Sequence, residues 1–143
     1  MTRPYFPASF QHYRPRWQKV FGIICYTEEK RYLLVLGRKA NKWSFPKGHM
    51  EGSESALDCA LRELMEEAGV DLSGHIHRGT IKLSKTRDGK NSEYFVFGVS
   101  KEIPVRVQDT NEIIDAGWFT VEEMRRMHCN MDVSSFHSRS DHF

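Results

Sequence analysis

One stretch limits what this chain can fold into more than any other: residues 48–70, GHMEGSESALDCALRELMEEAGV. Acidic side chains crowd a short segment between a glycine loop and a glycine stop. Carboxylates held this close repel, and keeping them all charged is costly. A hard cation such as Mg²⁺ removes that cost by taking oxygen ligands. The segment therefore reads as a metal-binding helix, expected over residues 54–68. Ser53 stands where it can cap the first turn, and Gly69 can close the last in a left-handed conformation. At about 100° per residue, Leu57, Ala60, Leu61, Leu64 and Ala68 fall on one stripe, the expected buried face. Glu63, Glu66 and Glu67 share another face. Their oxygens can converge on ions that also bridge phosphates. Arg62 beside them can hold a carboxylate in position or neutralise charge. A solvated Glu-rich surface helix is the plain alternative. The Phe45-Pro46-Lys47-Gly48 loop ahead of the helix argues against it.

At 143 residues the chain is long enough for one domain with a proper core. A hydrophobic fraction of 39% marks it as globular rather than disordered. No apolar run approaches the roughly 20 residues that span a bilayer. The first 18 residues carry prolines and charges where a secretory leader needs an apolar region. Cys25, Cys59 and Cys129 have no paired metal spacing and read as free thiols in a reducing compartment, the cytoplasm or the nucleus. A net charge of +2 gives no global pull toward nucleic acid.

The chain divides into a basic, aromatic arm (1–18), a central domain (19–130) and a polar tail (131–143). Within the domain, the apolar run 19–27 reads as a buried strand. Residues 32–37 form its hairpin partner. Residues 39–42 make a polar loop, and 43–45 a short extended piece before Pro46, which bars a helix. Strands are expected near 76–85 and 93–100, with a turn at 87–91 between them. Residues 104–110 form a loop, and 116–119 a last strand. A short helix over 121–127 starts from Thr120, with Glu123 completing a capping box.

Residues 48–70 match G-x5-E-x7-R-E-U-x-E-E-x-G-U, with U aliphatic, at every fixed position. The chain thereby resembles the Nudix hydrolases, on a pattern far more specific than a lone glycine motif. The resemblance implies an α/β/α sandwich around a mixed β-sheet. It implies hydrolysis of a diphosphate linked to another moiety, with Mg²⁺ or Mn²⁺. It also adds a backbone carbonyl of the Lys47-Gly48 turn to the metal ligands Glu63, Glu66 and Glu67. Glycine suits that place because the chain must approach the ion closely. Glu54 lies about two turns before Arg62 and is expected to pair with it in support.

Diphosphate hydrolysis needs cations, a positioned water and a base to take its proton. In several Nudix enzymes the base is a Glu outside the box, in a later loop. Glu112 is the candidate here; Glu67 or Glu66 can serve instead, and an exposed loop Glu is the bland reading of Glu112.

The wording Trp43-Ser44-Phe45-Pro46-Lys47-Gly48 resembles the catalytic domain of eukaryotic mRNA-decapping enzymes. So do Asp58-Cys59-Ala60 before Arg62-Glu63, and Asn111-Glu112-Ile113 before Trp118-Phe119. Pro-Lys-Gly also occurs in diadenosine polyphosphate hydrolases, so Lys47 alone does not decide. The 5′ cap of mRNA is the leading substrate, with a dinucleoside polyphosphate or a diphosphoinositol polyphosphate second. A non-catalytic nucleotide-binding module is a third reading, weakened because no box carboxylate is missing. Lys47 can contact a phosphate, and His49 can too, or be merely an exposed loop histidine. Trp43 and Tyr94 can stack on bases, or pack in the core. Full decapping enzymes carry a helical domain ahead of the Nudix domain and a basic helix after it, which this chain is not expected to have. RNA contact would then fall to Arg3, Arg14 and Arg16 with Tyr5, Phe6, Tyr13 and Trp17, and to Lys82, Lys85, Arg87 and Lys90. No membrane and no obligate protein partner are expected.

Overall fold

The computed structural model describes residues 19–85 and 90–138. The arm, Arg87, and the side chains of Lys85 and Lys90 lie outside the described residues, as do the RNA contacts expected of them. Ten elements follow in order: β1 (Lys19–Thr27), β2 (Arg31–Gly37), β3 (Trp43–Ser44), β4 (Lys47–Gly48), α1 (Ala56–Ala68), β5 (His77–Lys85), β6 (Lys90–Val99), β7 (Ile113–Thr120), α2 (Val121–Arg125) and α3 (Met131–His137). They form a mixed sheet with the path β3-β2-β1-β6-β5, on which β4 pairs with β1 and β7 with β2. β1 and β6 run parallel, in register from Lys19↔Asn91 to Thr27↔Val99. The other pairings are antiparallel.

β1 reads as an unbroken apolar run because helices cover both faces of the sheet. Phe21, Ile23 and Cys25 point to one side, where they join Leu33, Val35, Phe95, Phe97 and the α1 residues Cys59, Ala60, Leu64 and Ala68. Ile24 points to the other, with Tyr32, Leu34, Tyr94, Val96 and Phe45, under Met124 of α2 and Val133 and Phe136 of α3. Period-two alternation along each strand thus feeds two cores. This is the expected α/β/α sandwich.

Several expectations need correction. Ser55, not Ser53, caps α1: its side chain accepts from the Asp58 N–H. The buried face of α1 is turned toward Cys59 and Glu67, while Leu57 and Leu61 are only partly covered. The helix packs on β1 and β4 with Glu67 inside its buried face, so a stripe drawn from apolar residues alone misses its centre. Gly69 does end the helix, left-handed at φ 67°. Thr120 and Glu123 do form the capping box of α2. Residues 131–137 are not tail but helix, capped by Asn130, whose side chain accepts from the Val133 N–H. α3 is held to β6 by a fully buried hydrogen bond from the Tyr94 hydroxyl to Asp132 Oδ2, 2.5 Å.

Phe136 packs edge-on against both Phe45 and Tyr32, each 5.3 Å away between ring centres. Phe136→Ala would leave a cavity in the core beneath the 43–48 segment. Chemical denaturation is expected to show a loss of about 3–5 kcal/mol. A loss below about 0.5 kcal/mol would mean that α3 is dispensable.

Candidate functional site

The site begins where β4 crosses β1. Phe21 pairs with Gly48 and Gly22 with Lys47, and the Ile23 N–H donates to the Pro46 carbonyl at 3.0 Å. The crossing is close enough that a Cβ on Gly22 would lie 2.3 Å from the Pro46 oxygen. At Gly48 the neighbour is a side chain: its Cβ would fall 2.0 Å from Glu63 Oε2 and would push that carboxylate aside. Glu63 therefore lies directly over a glycine. The Lys47 N–H donates to Glu67 Oε1 at 3.1 Å, which ties the loop to α1 one helical turn further on.

Arg62 organises the remaining carboxylates. Its Nε and Nη2 donate to the two oxygens of Glu54 at 3.0 and 2.9 Å, a bidentate pair. Nη2 also donates to the His49 carbonyl at 3.0 Å. Nη1 donates to Glu63 Oε2 and Glu66 Oε2, both at 3.2 Å. The guanidinium and the Glu51 N–H hold the Glu54 carboxyl down at about 2. Glu54 lies just ahead of the Ser55 cap, outside the helix expected over residues 54–68, and pairs with Arg62 from there.

Glu112 reaches the site through the segment after β6. Arg106 N–H donates to the Ala68 carbonyl, and Gln108 and Asp109 N–H donate to that of Glu66, at 2.7, 3.0 and 2.8 Å. These are the free carbonyls at the C-terminus of α1, so the loop caps the helix with its own backbone. Trp118 Nε1–H fastens the start of the loop to the Ile103 carbonyl at 2.9 Å. Glu112 emerges exposed, close enough that its charge raises both Glu63 and Glu67.

These pieces line one cleft of about 850 Å³. Lys47, Gly48, His49, Glu63, Glu67 and Glu112 all face it. Glu66 is not in the lining but shares Arg62 with Glu63. Trp43 is half-buried against Phe119, 4.8 Å between ring centres, and is also outside the lining. Tyr94 is fully buried in the core beneath α3. Its ring is a packing surface and its hydroxyl is taken by Asp132, so the expected base-stacking role does not fit its position. Sequence reasoning missed Arg38, Lys39, Lys42, Asn111 and Asn130, which line the same cleft. Two signals pointed to them: the acid-free Arg38-Lys39-Ala40-Asn41-Lys42 loop, and Asn130 three residues before Val133 in an N-cap position.

The donor chemistry fits a hard divalent cation. Burial pushes the Glu63 carboxyl up to about 7, against the pull of Arg62. Burial, and then the charge of Glu63, holds Glu67 above the usual carboxylate range as well. Two raised carboxylates share a cleft with a third, Glu112, and with Gly48, above which the Glu63 carboxyl lies. Among the described residues no three acidic, His or Cys side chains already converge in ligating geometry. Nη1 of Arg62 sits on the oxygens of Glu63 and Glu66 that a cation would take. Glu63, Glu66 and Glu67 would hold it beside the Gly48 backbone.

A mixed sheet lies between helices, and Glu63, Glu67 and Glu112 share one cleft with Arg38, Lys39, Lys42 and Lys47. The chain belongs to the Nudix family: the NUDIX domain model matches residues 16–136. The m7GpppN-mRNA hydrolase of Saccharomyces cerevisiae (strain ATCC 204508 / S288c) is 34% identical over 109 residues, 75% of this chain but 11% of that protein. The mRNA-decapping enzyme subunit 2 of Arabidopsis thaliana is 30% identical over 117 residues, 82% of this chain and 31% of that one. The chain thus spans a third or less of these relatives' length. Diphosphoinositol polyphosphate phosphohydrolase 3-beta of Bos taurus is 28% identical over 140 residues, 92% of this chain and 78% of that one. In fold, the chain is similar to a C. elegans Ap4A hydrolase, with a TM-score of 0.72 at 20% identity over 87% of this chain and 96% of that one.

The raised carboxylates carry a sign for pH. Between about 4.5 and about 7 the folded protein keeps a proton on Glu63 that the unfolded chain has released. In chelator, the contribution of this site to stability is full below 4.5 and is lost as pH rises through about 7. Melting scans should show a fall in Tm across that window that Glu63→Gln reduces. Mg²⁺ should raise Tm more at pH 8 than at pH 5. Equal Mg²⁺ shifts at both pH values would remove these carboxylates from the cation site.

Proposed function

We propose that this Nudix domain hydrolyses a diphosphate linkage in a nucleoside diphosphate derivative, and that its leading substrate is the 5′ cap of mRNA. The observation that carries the reaction class is the meeting of Glu63, Glu67 and Glu112 with Lys47 on one cleft. A divalent cation, Mg²⁺ or Mn²⁺, would neutralise charge gathering on the phosphoryl oxygens during transfer. Lys47 adds a fixed positive charge beside the phosphate under attack. Glu112 is exposed on its loop, accessible to a water, and takes the proton that the water loses. Arg62 keeps Glu54, Glu63 and Glu66 in register and is a positioning residue.

The cap reading rests on the decapping relatives and on the Trp43–Lys47 wording shared with that branch. A second reading, a dinucleoside or diphosphoinositol polyphosphate hydrolase, has its own support. The bovine relative aligns over most of both chains, and burial of Tyr94 removes one of the two rings expected to stack on a base.

Glu67→Gln and Glu112→Gln are each expected to lower kcat by about 100-fold or more, the scale of a lost charge or base in such a step. Glu112→Gln should also flatten the acid limb of the pH–rate profile while nearly keeping cation affinity. Wild type and Glu67→Gln equally inert on every nucleotide tried would point to a binding module instead. For the substrate, cap-labelled RNA is compared with free cap dinucleotide, diadenosine polyphosphates and diphosphoinositol polyphosphates, with products resolved by mass in ¹⁸O water. Capped RNA is expected to have the highest kcat/KM. A preference for the small molecules would transfer the assignment to the second reading.

A further inference from the structure

The cleft has a basic stretch of lining separate from its catalytic carboxylates. Arg38, Lys39 and Lys42, all on the loop between β2 and β3, line it together with Lys47. That loop is a tight, fastened turn. The Gly37 N–H donates to the Lys42 carbonyl at 3.0 Å, and the Asn41 N–H to that of Gly37 at 2.9 Å. Asn41 takes the left-handed conformation, φ 56°, which closes the turn. The loop is also bound to the segment carrying Glu112. The Arg38 N–H donates to the Glu112 carbonyl at 2.8 Å, and Arg38 Nη2 to the Thr110 carbonyl at 2.9 Å.

Arg38 is partly committed by those bonds. Lys39 and Lys42 are exposed, and among the described residues neither side chain has an ion pair or a hydrogen bond. No acid stands between Gly37 and Trp43. Three like charges in one constrained turn repel, and an anion relieves that repulsion. The charge of the whole lining says how large an anion. Glu51, Glu63, Glu67 and Glu112 are balanced there by Arg38, Lys39, Lys42 and Lys47, four against four. Once the carboxylates are engaged by divalent cations, the cleft turns strongly positive. A diphosphate held at the carboxylates would meet Lys47, which lines the cleft beside Glu63 and Glu67. Phosphates further along the chain are left for the loop, and the cleft of about 850 Å³ has room for them.

We infer that the 38–42 loop is a subsite for the phosphates beyond the bond that is broken, so that the protein selects chains of three or more linked phosphates over diphosphates. The inference deepens the hydrolase reading and rests on it for the place of the bond cleaved. Because the loop is hydrogen-bonded to the backbone of Glu112, a phosphate held there is placed against the segment that carries that carboxylate. Lys39 and Lys42 are then specificity determinants that read phosphate number, while the box carboxylates read only the linkage.

The test uses the full chain in Mg²⁺ with non-hydrolysable, methylene-bridged dinucleoside analogues of two, three and four phosphoryl groups. Binding is measured by calorimetry for wild type and for K39Q/K42Q, both exposed positions whose exchange leaves the core intact. Wild-type affinity should rise with phosphate number. The double variant should lose about tenfold on the four-phosphate analogue and about twofold or less on the two-phosphate one. Its salt dependence should be shallower as well. With hydrolysable substrates the loss should sit in KM rather than kcat. An equal loss at every chain length, or none, would overturn the subsite. So would a loss that tracks the length of a capped RNA's body at a fixed cap bridge, which would make the loop an RNA-backbone contact. A wild type that binds the analogues in the expected order yet cleaves no capped RNA would sink the decapping reading and leave the subsite standing.

Discussion

The contact of Glu63 and Glu67 with the backbone of β4 is the constraint on which the rest of the site depends. At Gly48 a Cβ would fall where the Glu63 carboxylate lies, so a larger residue there would displace that carboxylate. Glu67 is anchored by the Lys47 N–H and is 7% exposed. Burying two carboxylates on one helical face is unfavourable by itself, because desolvation and mutual repulsion both disfavour the charged forms. The fold tolerates it because hydrophobic neighbours hold α1 in place regardless. Leu64 and Ala68 lie fully buried between the same carboxylates, packed against β1 and β2. The helix is thus fixed by its apolar residues and loaded by its acidic ones, a condition suited to a site that gains its missing charge from a ligand.

The same helix organises the second half of the site through its C-terminus. The last carbonyls of α1 would otherwise face solvent unpaired. Instead they receive the N–H groups of Arg106, Gln108 and Asp109. Gly69 lets this segment approach, since a Cβ there would meet the Arg106 carbonyl at 2.2 Å. A helix cap and the delivery of Glu112 are therefore one structural event. Arg38, bonded to the Glu112 and Thr110 carbonyls, carries the linkage on to the basic loop.

How far this was legible in the sequence depended on whether the signal was local. β1 was visible at its observed bounds, because a strand buried on both faces leaves an unbroken apolar run. The α2 capping box was visible because it is closed by residues three apart. The pairing of Glu54 with Arg62 was expected from one helix carrying both, but Glu54 lies ahead of the Ser55 cap and reaches Arg62 from outside α1. Tyr94 was not legible. An aromatic in a strand shows no sign of which face it takes, and its partner Asp132 lies 38 residues away. The last helix was hidden for a similar reason. Polar serines and a histidine dominate its sequence, while two residues, Val133 and Phe136, anchor it at helical spacing. The basic lining was invisible as a site because Lys39 and Lys42 meet the carboxylates only through the tertiary fold.

That division between local and tertiary signals has a functional counterpart. The groups that fix the linkage to be cleaved sit on a helix and the strand it clasps, where packing holds them to a small positional error. The groups that can distinguish one phosphate-bearing substrate from another sit on the 38–42 turn, outside both cores, and on the 104–112 loop, which touches one core through Val105 and Val107, the two being joined by hydrogen bonds. Loop residues can change with little cost to the core, whereas Glu67 is buried and tied to the backbone of β4. A chain built this way can keep one reaction while its substrate is reset at the loops. The intact box is therefore a statement about the linkage, and the charges on the 38–42 turn are the part of the structure that speaks to what the linkage is embedded in.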